Sequence, residues 1–190
     1  MRGIVLGLSG QIASGKSTIA RALTEVIRCE RVSFGGYVRK VAASQGYNED
    51  RRTLQDLGQD LIEELGAEQF CIEVLRDQAP TFVPGKNLVI EGIRHAEVVE
   101  ALSFLVQPSA LALVFVQVDE RTRRNRLALR EGEPSLEKAD EHDTEQQVRR
   151  ALQGCADLTL VSTRPSGELV RKVLAWMRDE RALWESGGWQ

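Results

Sequence analysis

The sequence predicts an α/β fold, a mostly parallel sheet with helices on both faces. Two observations carry this expectation. Short apolar runs alternate with stretches of helical periodicity along the whole chain, the pattern of parallel strands joined by crossover helices. After the first apolar run comes "GLSGQIASGKSTIA", residues 7–20, a glycine-rich break followed by a lysine and two hydroxyls. At 190 residues, 42% hydrophobic and 28% charged, the chain has the size and make-up of one compact domain, 1–190.

The elements follow in order. Gly3 to Leu8 reads as a buried strand, Lys16 to Arg28 as the next helix, and Glu30 to Ser33 as a short second strand. Helical patterns run from Tyr37 to Gln78, with Leu54, Leu57, Leu61, Ile62 and Leu65 at helical spacing. Pro80, Pro84 and Gly85 mark a loop before the strand "NLVIEG". A helix over Ala96 to Leu105 leads past Pro108 to the strand "LALVFVQV". Arg121 to Arg130 is helical, and "EGEPSLEKADEHDTE" is acidic and poor in apolar residues. A helix, the strand "LTLVS" and a last helix with Leu169, Val173, Trp176 and Met177 on one face complete the chain.

Gly10, Gly15, Lys16 and Ser17 complete the pattern G-x-x-x-x-G-K-[ST] between strand and helix. This is a P-loop, so the fold becomes a three-layer P-loop NTPase fold with five strands. Its backbone N–H groups, with Ala13, Ser14 and Thr18 beside the named four, wrap a β-phosphate at the positive end of the helix dipole. Lys16 reaches the β- and γ-phosphates, and the Ser17 hydroxyl suits Mg²⁺. ATP and Mg²⁺ are therefore expected. The chain has no N-K-x-D guanine-reading motif and no transporter signature, which leaves small kinases foremost.

Three further segments extend this. "SFGGYVR", Ser33 to Arg39, resembles the S-T-G-D-x-x-R segment of nucleoside monophosphate kinases, and "LVIEGIR", Leu88 to Arg94, resembles their D-G-x-P-R strand end. "VDERTRRNRLALR" resembles the segment leading into their lid, with Arg126 and Arg130 at the R-L-x-x-R positions. "ADLTLVSTRPSGELVRKV" is similar to the last strand and helix of these kinases and of dephospho-CoA kinases. The resemblance implies helices for the acceptor over about 34–79, a lid over about 131–145, and an acceptor phosphate held by Arg39 and Arg94. It also implies charge stabilisation by Arg126. Gly36 stands where the family has an aspartate, and the lid candidate is acidic, so metal support and the acting arginine stay open.

Other roles come from the residues themselves. Glu91, after three apolar residues at a strand end, suits Mg²⁺ held through water. Arg39 has an alternative partner in Glu49 or Asp50. Most arginines of the 121–130 helix read as a solvated face, and His95 has no partner pattern. A phosphate acceptor is already ionised, its second pKa being about 6, and needs cations. A hydroxyl acceptor wants a carboxylate in reach, and the chain offers "SFGG" after its second strand.

The reading is a kinase moving the γ-phosphoryl of MgATP to a nucleoside or deoxynucleoside monophosphate. Alternatives are a dephospho-CoA-kinase-like hydroxyl kinase, with Glu91 as base, or a nucleotide-binding module that signals to a protein partner.

The net charge of -3 argues against nucleic-acid or membrane-surface partners. Twenty arginines against five lysines fit phosphate handling, and fit genomic base composition equally. Three scattered cysteines, no signal-peptide pattern and no long apolar run lead us to expect a cytoplasmic protein with reduced thiols, acting on small-molecule nucleotides. A homodimer is compatible with this but not indicated.

Overall fold

The computed structural model describes residues 3–129, 151–162 and 165–185. The first half contains β1 (Ile4–Ser9), α1 (Lys16–Ile27), β2 (Glu30–Ser33), α2 (Phe34–Gln45), α3 (Arg51–Leu65) and α4 (Ala67–Gln78). Then come β3 (Leu88–Glu91), α5 (Ala96–Leu105), β4 (Ala110–Gln117), α6 (Glu120–Ala128), β5 (Leu158–Val161) and α7 (Ser166–Glu185). The expected lid, 131–145, and Arg130 lie outside the described residues.

The five strands form one all-parallel sheet in the order β2-β3-β1-β4-β5. β1 and β3 are buried along their whole length, which explains why both read as unbroken apolar runs rather than alternating ones. One core, under α2 to α5, gathers Val5, Val32, Phe34, Val74, Ile90, Leu102 and Phe115. The other, under α1 and α7, gathers Leu6, Leu8, Ile19, Leu23, Val116, Val173 and Met177. The chain runs outward from β1 to β2, returns to β3, then crosses to β4 on the other side of β1. That reversal places a crevice at the carboxyl ends of β1 and β3, where open α/β sheets bind ligands.

Local chemistry sets where the helices begin. α2 starts at Phe34 rather than Tyr37 because Ser33 caps it: its Oγ accepts from the Gly36 N–H at 3.1 Å. Asp50 caps α3 and Asp119 caps α6, each accepting from the N–H three residues on. These hydrogen bonds, with those from the hydroxyls of Thr53 and Thr122, lower both carboxyl pKa values.

Candidate active site

The P-loop is built by close approach and unusual backbone. Gly10 has φ 134°, and a Cβ there would lie 2.3 Å from the Val116 carbonyl oxygen, so β1 and β4 exclude any side chain. Gly15, with φ 94°, turns the chain into α1. Ala13 also adopts a left-handed φ of 57°. It is held there by packing with Ile12 and Leu127, all three buried. Non-glycine residues in this region carry strain, and such strain concentrates at ligand sites.

The Lys16 ammonium arches over the loop, donating to the carbonyls of Gly10 and Gln11 and to the Ser14 hydroxyl at 3.3 Å. Residues 12 to 18 form one end of a cavity of about 570 Å³. The stretch Glu91 to His95 follows β3 along its side, and α2 and α3 close it with Phe34, Val38, Arg39, Leu54 and Gln55. Ala13, Ser14, Gly15, Lys16, Ser17, Thr18, Glu91, Arg39 and Arg94 therefore share one cavity. Gly10, expected to bind the nucleotide, is not among the lining residues and instead packs against Val116 of β4.

Glu91 is buried, in register with Ser33 and Leu8 on the flanking strands. Its Oε1 is 3.5 Å from Nη1 of Arg31. Arg39 Nε faces Glu49 Oε2 at 3.5 Å, the alternative partner the sequence offered. Ser17 and Glu91 present hydroxyl and carboxylate oxygens, the ligand type Mg²⁺ prefers. Among the described residues no cluster of three acidic, histidine or cysteine side chains could cage a metal. That donor set fits Mg²⁺, which is usually shared between one or two protein oxygens, water and substrate phosphates.

Arg126 sits against the back of the P-loop. Its Nη1 donates to the Ala13 carbonyl at 3.0 Å and the Ser162 hydroxyl at 3.2 Å, and its Nη2 donates to the Ser162 carbonyl at 3.0 Å. It is not among the residues lining the cavity. The expectation of a solvated face fails for Arg123, which is 1% exposed with Nε donating to the Ile12 carbonyl at 3.2 Å. The reason is that α6 packs beneath the loop and the loop's carbonyls need donors.

Sequence reasoning also passed over His95, buried in the cavity wall, and Arg51 and Gln55 on α3. A signal for the last two existed. Positions 51, 54, 55, 58 and 62 share one helical face, and that face lines the cavity.

A family model described as an AAA domain matches residues 6–149. A cytidylate kinase of Pyrobaculum calidifontis is 27% identical over 132 residues, covering 68% of this chain and 61% of that protein. The chain thus spans less than two thirds of that relative's length. A UPF0200 protein of Aeropyrum pernix is 27% identical over 163 residues, 84% of each chain. Among solved structures, shikimate kinase from Aquifex aeolicus superposes with TM-score 0.55 at 18% identity, over 94% of this chain and 98% of that one. A gluconokinase from Sinorhizobium meliloti gives TM-score 0.58 at 17% identity, over 97% of each. At such identities the likeness is one of fold. No described helix is long and apolar enough to cross a membrane. With its P-loop, parallel sheet order and matched family model, the chain belongs to the AAA domain family of P-loop proteins and has the nucleotide-binding fold of P-loop kinases.

Proposed function

We propose that the protein transfers the γ-phosphoryl group of MgATP to a nucleoside or deoxynucleoside monophosphate. The observation that carries this reading is a single cavity with a P-loop at one end and Arg39 and Arg94 in its walls. Phosphoryl transfer depends on positioning and charge neutralisation. Two arginines suit an acceptor whose attacking oxygen is already ionised. The cytidylate kinase relative supports the same class of acceptor, with cytidine monophosphate the first to try.

The chain's residues divide the work. Residues 13 to 18 hold the donor phosphates with backbone N–H groups and the α1 dipole. Lys16 exchanges its loop carbonyls for phosphate oxygens and meets the charge that develops on them. Ser17 and Glu91 would hold Mg²⁺, whose charge neutralises the phosphates when bound. Arg39 and Arg94 fix the acceptor's phosphate, and their planar forks match its oxygens in pairs. Arg126 holds the P-loop from behind, and reaching the transferring phosphoryl requires it to release Ser162.

A second reading, phosphorylation of a hydroxyl, draws on the buried His95 imidazole and Glu91 in the same walls. The test is ADP release from MgATP with nucleoside monophosphates, deoxynucleoside monophosphates, dephospho-CoA and sugars in parallel. Release stimulated by a monophosphate is the expected result. Stimulation only by a hydroxyl acceptor overturns the first reading for the second. Slow hydrolysis that no acceptor changes overturns both in favour of a nucleotide-binding module.

A further inference from the structure

α6 places an arginine at a buried position. The helix begins at the Asp119 cap, and Arg123 and Leu127 stand one turn apart on the same face, both buried. Leu127 packs against Ile12 and Ala13 of the P-loop. Arg123 is 1% exposed, and its Nε donates to the Ile12 carbonyl at 3.2 Å. On the next carbonyl, that of Ala13, Arg126 Nη1 donates at 3.0 Å. Taking a guanidinium out of water is unfavourable, and methionine at 123 would fill the same space with no charge to bury.

The two carbonyls belong to the part of the loop with the least conformational ease. Ala13 holds a left-handed φ of 57°, which a residue with a side chain keeps only when its surroundings impose it. The Ile12–Ala13 peptide is trans, so its carbonyl and its N–H point in opposite directions. A carbonyl fixed on Arg123 therefore turns the Ala13 N–H away from α6. Ile12 and Ala13 line the cavity, and among the described residues α6 contributes none to it. The anchored carbonyl marks the back of the loop. The N–H faces the side that a phosphate would meet.

We infer that Arg123 is a positioning residue for the P-loop: by holding the Ile12 carbonyl it keeps the Ala13 N–H aimed at a donor phosphate. A charged donor holds a carbonyl more firmly than a neutral one, which is the use of an arginine here. The inference rests only on the donor half of the function proposed above, the grip of residues 13 to 18 on a polyphosphate. It adds to that grip a residue of α6, more than a hundred positions beyond the loop pattern.

The test is binding measured by calorimetry, with ATP and inorganic tripolyphosphate as probes in the presence of Mg²⁺, for wild type, Arg123→Met and Arg123→Lys. Circular dichroism first fixes a temperature at which each protein is fully folded. Arg123→Met keeps the volume and removes the donor, so it should bind both probes about tenfold to a hundredfold more weakly. The two factors should match, because the loop meets only phosphates. Arg123→Lys keeps the charge and a donor without the planar fork, and should recover part of the affinity. A folded Arg123→Met that binds tripolyphosphate like wild type overturns the inference in favour of packing alone. So does a lysine variant no better than the methionine one. A loss for ATP alone would put Arg123 on the base or ribose side and overturn it too. Should Arg123→Met not fold, Arg123→Lys decides: a matched few-fold loss supports the inference, and no loss or an unmatched one overturns it. Only binding is read, so wild type that holds tripolyphosphate but phosphorylates no acceptor defeats the kinase reading and not this one.

Discussion

Arg39 Nε and Glu49 Oε2 face each other at 3.5 Å in the wall of the cavity, each about half exposed. The pair is weak, because solvent screens it. On the proposed function, an acceptor phosphate competes with Glu49 for the same guanidinium. Arg39→Ala should raise the acceptor KM by about tenfold to a hundredfold. Glu49→Gln should lower it a few-fold by removing the competitor, and neither should move the ATP KM. Steady-state kinetics with each substrate varied separately decides this. A Glu49→Gln variant with a weaker acceptor interaction would show that the carboxylate binds the acceptor itself.

Lys16→Ala should lower kcat by about 10²–10³ while the protein stays folded, since one aligned donor to the developing charge is lost. Its hydrogen bonds to the Gly10 and Gln11 carbonyls and the Ser14 hydroxyl stay within the loop itself. Circular dichroism and rate measurements on one preparation check both halves. Full turnover by folded Lys16→Ala protein would defeat the phosphotransferase reading.

Glu91→Gln should shift the Mg²⁺ dependence of activity upward by about tenfold to a hundredfold, the usual consequence of losing a partner around a metal. Arg31→Gln should act in the opposite sense, because the cation 3.5 Å from Glu91 competes with the metal for that carboxylate. Titrating Mg²⁺ at fixed ATP distinguishes the two variants. Unchanged Mg²⁺ dependence in Glu91→Gln would remove Glu91 from the metal site.

Cys71 is buried, and desolvation followed by the neighbouring Glu68 pushes its thiol up to about 12. The folded state thus holds this proton at pH values where the unfolded chain has lost it, so the contribution falls as pH rises. It is complete below the ordinary thiol value of 9.0 and is lost on passing through about 12. Thermal melting from pH 8 upward should show a steeper alkaline decline for the wild type than for Cys71→Val. At pH 8, alkylation of native protein should label the exposed Cys155 and spare Cys71. Equal labelling of both would mean that the α4–α5 region opens readily.

The sequence by itself determined the P-loop and the alternation of strands with helices that implies a parallel sheet, and the structure supplied the strand order. The P-loop and the strands are contiguous features: the eight residues from Gly10 to Ser17 carry the phosphate-binding pattern unbroken, and a strand buried on both faces reads as a largely apolar run. The end of β3 was legible for the same reason, and Glu91 and Arg94 there line the cavity. Only the tertiary structure decided which polar side chains turn inward. α6 reads "ERTRRNRLA", with Leu127 its one large apolar residue, so its pattern names no buried face. Arg123 is buried because the P-loop carbonyl of Ile12 lies above it, a neighbour 111 residues away in the chain. Gln55 and His95 likewise come to line one cavity only because α2, α3 and the end of β3 meet around it. A helix fixes the angular spacing of its side chains, but what each one meets is set by packing against elements remote in sequence.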